Sequence, residues 1–174
     1  MEPNLRPVVE DDFEFAFRVK REAIGPHVAA RWGWNEEFQR EFHARRWRER
    51  PWFIIVKAGV PIGTVSVMRN DASVRFGEFY LLPAFQRHGI GSTVLASVLA
   101  CADAEALPVE LEYLKWNPVG SLYQRFGFVI VSENEIHYFL VRERAGKNPS
   151  VKRPYGGAAR LDCAMLFPAA LSKR

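Results

Sequence analysis

The strongest chemical signal in this chain of 174 residues is a loop of seven, Gln86-Arg87-His88-Gly89-Ile90-Gly91-Ser92. It joins a stretch with strand character to one with helical spacing. The first amides of a helix have no intrahelical acceptor, and the helix dipole adds partial positive charge there. Glycine at 89 and 91 lets the backbone approach an anion closely, and Arg87 and His88 add donors. A diphosphate is the natural guest, although a glycine turn that merely starts a helix has the same spelling. No Gly-Lys-Ser/Thr ending follows, so the loop is not a P-loop. The preceding strand belongs to a meander, which argues against a dinucleotide-binding βαβ unit.

Other residues could move protons or wall a pocket. Glu78 is an acidic residue in an otherwise apolar strand, and burial there would raise its pKa towards the range of a general base. Glu112 is a second acidic residue, in the next strand; either could also be a solvated strand position. Trp32 and Trp34 flank Gly33, where they form an aromatic wall or pin helices to a sheet. Asn117 either contacts a ligand or caps the helix that follows. His137 and Tyr138 read as structural. Two cysteines, Cys101 and Cys163, give no disulfide framework, which makes a reducing cytoplasm the expected compartment, and with four scattered histidines no metal site is expected.

The elements that must position these groups follow from periodicity. A first helix should begin near Asp11-Asp12, with Phe13, Ala16, Phe17 and Ile24 on one face, and break or bend at Gly25-Pro26. Asn35 opens a second helix, with Glu36 and Glu37 at its positive end, that runs to about Arg48. Trp52–Val56 reads as a strand buried on both faces. Ala58-Gly59 turns the chain into Val60–Met68, and Asn70-Asp71 turns it again into a strand from about Ser73 to Leu82. A helix carries Val94, Leu95, Val98, Leu99 and Ala102. The strand Val109–Trp116 follows it, and the crossover favours a parallel pairing. A short helix from Pro118 to about Arg125 ends at Gly127, and Phe128–Val131 and His137–Val141 supply two last strands. The order αα-βββ-α-β-α-ββ describes an α/β (α+β) domain whose mixed, mainly antiparallel sheet of six to seven strands is flanked by helices.

Composition bounds the rest. The chain is 48% hydrophobic and 13% aromatic, enough for a packed core, and its length fits one domain. No apolar run approaches the roughly 18–20 residues needed to span a bilayer, and the N-terminus lacks the layout of a secretory signal. The net charge of +4 is unevenly distributed: residues 143–174 hold seven basic and two acidic groups, so they carry +5 and the remainder −1. The basic pI therefore belongs to the end of the chain and is weak evidence for nucleic-acid binding. Residues 1–142 read as the domain and 143–174 as a basic tail, flexible or loosely docked, in which Leu161–Leu171 is apolar enough to dock.

Asn117-Pro118-Val119-Gly120-Ser121-Leu122-Tyr123-Gln124-Arg125-Phe126-Gly127-Phe128 decides between readings of the glycine loop. Together with Gln86-x-x-Gly89-x-Gly91, and with Tyr80-Leu81-Leu82-Pro83 ahead of it, this segment resembles the GNAT acetyltransferases. In that family a Gln/Arg-x-x-Gly-x-Gly/Ala motif after a strand precedes an Asn, a short helix carrying Leu-Tyr, and Gly-Phe. The resemblance covers about residues 5–142. Trp32-Gly33-Trp34-Asn35-Glu36-Glu37-Phe38-Gln39 is similar to a segment of some small bacterial members. The tail has no counterpart in the family, and the Asn-to-Tyr spacing is one residue shorter than in many members.

The resemblance implies an acetyl-CoA-dependent N-acetyltransferase that moves an acetyl group directly to a primary amine. It implies that the fourth and fifth strands splay to admit pantetheine, with backbone groups of Leu81 and Leu82 bonding that arm. The amides of Arg87, His88, Gly89, Ile90, Gly91 and Ser92 would wrap the pyrophosphate, Gln86 opening the motif, and Asn117 would contact the pantetheine or cap the next helix. Tyr123 occupies the family's general-acid position. Glu78, Glu112 or a water chain would take the proton of the amine, and Trp32 and Trp34 would wall the acceptor pocket. A small molecule (a polyamine, an amino acid or an antibiotic) or a protein N-terminus could be the acceptor, and a homodimer is possible. The rivals are an acyl-CoA-binding regulatory module without turnover and an interaction protein that uses its basic tail.

Overall fold

A computed structural model describes residues 1–144, 146 and 161–168. The chain opens with strand β1 (Asn4–Pro7), passes through a 3-10 turn, and enters helices α1 (Phe13–Trp32) and α2 (Glu36–Glu49). Strands β2 (Trp52–Lys57), β3 (Val60–Arg69) and β4 (Val74–Leu81) then run as a meander. Helix α3 (Ile90–Ala104), strand β5 (Val109–Leu114), helix α4 (Gly120–Arg125), strands β6 (Val129–Glu133) and β7 (His137–Arg142) and the one-turn helix α5 (Cys163–Leu166) follow.

The seven strands form one sheet in the order β1-β2-β3-β4-β5-β7-β6. Every pairing is antiparallel except β4 with β5. Strand β1 is an addition to the expected order. At four residues, with only Leu5 buried and Pro7 closing it, it is too short to show a period, and only its pairing with β2 makes it a strand.

The alternation of β2 explains its unbroken apolar run. Phe53 and Ile55 join the core formed with α3, where Val94, Leu95, Val98 and Leu99 are buried. Trp52 points the other way, onto the α2 side, where its ring lies 5.1 Å from that of His43. The ring of His43 also meets Phe13, Phe17 and Trp47, so α1 and α2 close over the second face of the sheet as an aromatic layer.

Two expectations need correction. Helix α1 does not break at Gly25-Pro26 but runs through to Trp32. An interior proline loses one backbone hydrogen bond, roughly 3 kcal/mol, yet Ile24 before it and Val28 after it are both buried and hold the helix on course. Cys101 and Cys163, read as unpaired, form a disulfide across 62 residues of sequence. It fixes Leu161–Pro168 to α3, and Leu166 and Phe167 enter the core. Spacing could not reveal the pair, because α3 and the end of the chain meet only in the folded state. The argument from free thiols for a reducing compartment falls with it. The rest of the expected tail, residues 145, 147–160 and 169–174, lies outside the described residues. Among those described, no helix is long and apolar enough to cross a membrane.

Candidate functional site

Strand β4 leaves its neighbour early. It pairs with β5 only at Val74↔Val109 and Arg75↔Glu110, whereas β5 goes on pairing with β7 as far as Leu114. From Phe76 onward a cleft opens between the two parallel strands. A bulge in β4 shapes its wall: Ser66 faces Gly77 and Thr64 faces Tyr80, so Glu78 and Phe79 together oppose the single residue between. Glu78 takes φ 46°, a left-handed conformation costly for a side chain with a Cβ. The buried Thr64 holds it there by donating from Oγ1 to the Glu78 carbonyl at 3.0 Å.

The bulge also decides which backbone groups face the cleft. The Leu82 amide donates to the Ile62 carbonyl of β3 at 2.9 Å, so it points away from β5. Because strand residues alternate, the peptide groups of Leu81, next in the ladder, face the cleft. The Leu81 carbonyl already accepts from the Gln86 side chain at 2.9 Å, which ties the start of the loop to the end of the strand.

Beyond Gln86 the loop prepares the helix. Arg87 and Gly89 have positive φ, and Gly89, at 77°, is the residue just before α3. Its carbonyl accepts the first helical bond, from Thr93. The amides of Arg87, His88, Gly89, Ile90, Gly91 and Ser92 have no acceptor among the described residues, so six consecutive donors stand at the positive end of a 15-residue helix. This array fits the diphosphate of a coenzyme. A Cβ on Gly91 would lie 3.6 Å from Phe79, so the loop and the bulged strand are in contact.

On the α1–α2 side the cleft widens into a cavity of about 520 Å³. Glu78, Glu112, Asn117, Tyr123 and Trp32 all line it. Burial pushes the Glu78 carboxyl up from its ordinary range, against the opposing pull of Lys20 and Arg46. Arg50 and Arg46 approach it at 3.8 and 3.9 Å. Burial and the nearby Glu78 raise the Tyr80 phenol. Glu112 is held by Arg75 at 3.0 Å, with Arg46 at 3.9 Å.

Tyr123 is buried, and burial raises its phenol well above the ordinary value, which keeps the proton on its oxygen. Its ring packs against Tyr113, Phe76 and Phe128. Gly120, one turn earlier, leaves the room that the Tyr113 hydroxyl occupies, and any Cβ there would collide with it. Asn117 accepts from the Val119 amide at 3.1 Å, the role of a cap ahead of α4. The two tryptophans separate. Trp32, half exposed, meets Trp116 edge-on at 4.7 Å and lines the cavity. Trp34 packs near Phe17 and donates to Glu36 at 2.6 Å, outside the cavity wall.

Lys20, Arg46, Arg50 and Arg75 are site residues that the sequence did not point to. Lys20 sits in Arg18-Val19-Lys20-Arg21 and Arg46 in Arg45-Arg46-Trp47-Arg48, runs that look like solvated helix faces. Nothing local distinguishes the inward cation from the outward ones.

A family model described as an acetyltransferase (GNAT) domain matches residues 48–130. No curated protein matches the chain by sequence. Among solved structures, the chain is similar to the PaiA N-acetyltransferase of Thermoplasma acidophilum in complex with coenzyme A. Identity is 17% and the TM-score 0.67, over 82% of this chain and 99% of that one. It is also similar to the ribosomal-protein-S18-alanine N-acetyltransferase of Escherichia coli, at 13% identity and TM-score 0.63 over 86% and 99%. Ard1 from Thermoplasma volcanium aligns at 18% identity and TM-score 0.60, over 83% and 99%. At these identities the likeness is one of fold.

Proposed function

We propose that this chain, whose residues 48–130 match the GNAT acetyltransferase domain model, moves the acetyl group of acetyl-CoA directly to a primary amine. The observation that carries the reading is the junction of two features. The six unpaired amides of Arg87–Ser92 reach, through Phe79, a cavity that holds both a protonated phenol and a carboxyl of raised pKa. When bound, acetyl-CoA supplies an acetyl group already activated as a thioester.

The residues then divide the remaining work. The loop amides hold the diphosphate, and the cleft-facing peptide groups of Leu81 flank the pantetheine arm. Tyr123 keeps its proton at neutral pH and gives it to the departing sulfur. Glu78 receives the proton of the incoming amine; its raised pKa brings it nearer to that of the group it deprotonates. Glu112, bound to Arg75, positions that arginine. Trp32 closes one wall of the acceptor cavity.

Thiol release from acetyl-CoA, followed across a panel of amines, tests the proposal. Amine-dependent release with formation of the N-acetyl product is the expected outcome. Tight coenzyme binding with no release for any amine would favour a regulatory module instead.

A further inference from the structure

The charges in the cavity do not balance. Lys20, Arg46, Arg50 and Arg75 line it, against two carboxylates, Glu78 and Glu112. Arg75 and Glu112 satisfy one another at 3.0 Å. Glu78 interacts with the Tyr80 phenol, and its two guanidinium neighbours, at 3.8 and 3.9 Å, are both beyond hydrogen-bond reach. Lys20 is 5% exposed and makes no hydrogen bond or ion pair among the described residues; its ammonium lies 4.7 Å over the ring of Phe42. The Nε of Arg46 is buried without a hydrogen-bond partner. An ammonium and a guanidinium N–H withdrawn from water and left unpaired are expensive, and a fold retains them where a ligand completes them.

We propose that the acceptor is a small amine that also carries an oxyanion, a carboxylate or a phosphate, seated between Lys20 and the Arg46–Arg50 pair. This rests on the acetyl-transfer reading for the amine and on the cavity alone for the anion. The coenzyme's own diphosphate does not account for the cations, since no residue of the loop 86–92 lines this cavity. Ile24, Val28 and Phe42 make the surrounding wall apolar, which suits a compact body between the two charged ends. The same cations repel an ammonium, so they exclude polyamines and favour the neutral, nucleophilic form of a bound amine.

Matched pairs test the proposal: L-phenylalanine against its carboxamide, and glucosamine 6-phosphate against glucosamine, with spermidine as a polycation. Each is titrated calorimetrically into the CoA-loaded protein and assayed for acetylation with acetyl-CoA. The anionic member of at least one pair should be favoured by about tenfold or more, and the pair that discriminates tells carboxylate from phosphate. Lys20→Met should erase the preference and Lys20→Arg should restore much of it, with CoA affinity unchanged. The melting temperature of Lys20→Met should not fall, because an unpaired buried charge has been removed; a purely structural lysine would give a clear drop. Anion-dependent binding without acetylation of any compound would keep the anion site and remove the acetyl-transfer reading, and the amine with it. Equal affinity within both pairs, no binding by any member, or an unchanged preference in Lys20→Met would overturn it.

Discussion

At the proposed diphosphate site, Arg87–Ser92, an anion would meet the main-chain N–H groups of six consecutive residues, whereas in the cavity it would meet side chains carried by α1, β4 and the C-terminal end of α2. The first arrangement depends on backbone conformation, above all the left-handed Gly89, and is nearly indifferent to which side chains surround it. The second is built from single side chains, so one substitution changes what it accepts. A scaffold of this kind can keep its donor while its acceptor changes. The two regions are also anchored differently. The helix behind the loop is tied down by the Cys101–Cys163 bond and by the paired contacts of Arg142 with Asp103 at 2.8 and 2.9 Å. The helix that carries Arg46, with Arg50 just beyond its end, rests on the aromatic layer around His43.

That contrast can be broken from either side. The largest effect should come from the disulfide. Closing a loop of 62 residues contributes on the order of 4 kcal/mol in the chain-entropy description. Reduction, or Cys163→Ser, should therefore lower the melting temperature by roughly 5–15 °C. CoA affinity at temperatures where the domain stays folded should be kept, since the bond lies at the far end of α3 from the loop. A reduced protein that melts with the oxidised one would show that Leu166 and Phe167 hold the segment without it.

The second effect is on the cavity side and depends on pH. Burial pushes His43 from 6.5 down to about 4. Between those values the unfolded chain takes up a proton that the folded one refuses. Stability is thus complete above about pH 6.5 and falls as pH drops towards 4, by about 3 kcal/mol for this one group. Denaturant melts of the parent and of His43→Phe at pH 7 and 4.5 should show the parent losing more. Equal losses would mean that His43 is not held neutral.

The next substitution reaches into the chemistry. Glu78→Gln should cut turnover by at least about tenfold near neutral pH, and the defect should shrink at high pH as free amine becomes abundant. The raised Glu78 pKa places the parent's acid limb above the ordinary carboxylate range, with activity lost as pH falls through it. A defect that is constant with pH would assign Glu78 to binding.

The smallest effect tests the loop itself. Gly89→Val forces a β-branched residue into φ 77° and should weaken CoA binding by about tenfold, or 1.4 kcal/mol. The anion preference of the cavity should remain. Parental CoA affinity would move the diphosphate elsewhere.

The loop was legible because a backbone site is written in consecutive residues: Gly89 just ahead of α3 and Gly91 in its first turn state the conformation directly. The meander, the parallel crossover and the start of the second helix at Asn35 were legible for the same reason. Tyr123 became visible through its motif. Lys20, Arg46 and Arg50 were not, because their inward aim depends on how α1 and α2 pack across β4. The path of α1 through Pro26 and the Cys101–Cys163 bond were hidden likewise, both being decided by contacts distant in sequence.

The central claim is that a protonated Tyr123 serves transfer from a coenzyme held by the loop. Steady-state turnover of Tyr123→Phe with acetyl-CoA and an identified amine, with CoA affinity measured in parallel, tests it most directly. The account predicts turnover lower by the order of 10²-fold with CoA affinity and melting temperature unchanged, since only a hydroxyl has gone. Turnover equal to that of the parent would contradict it.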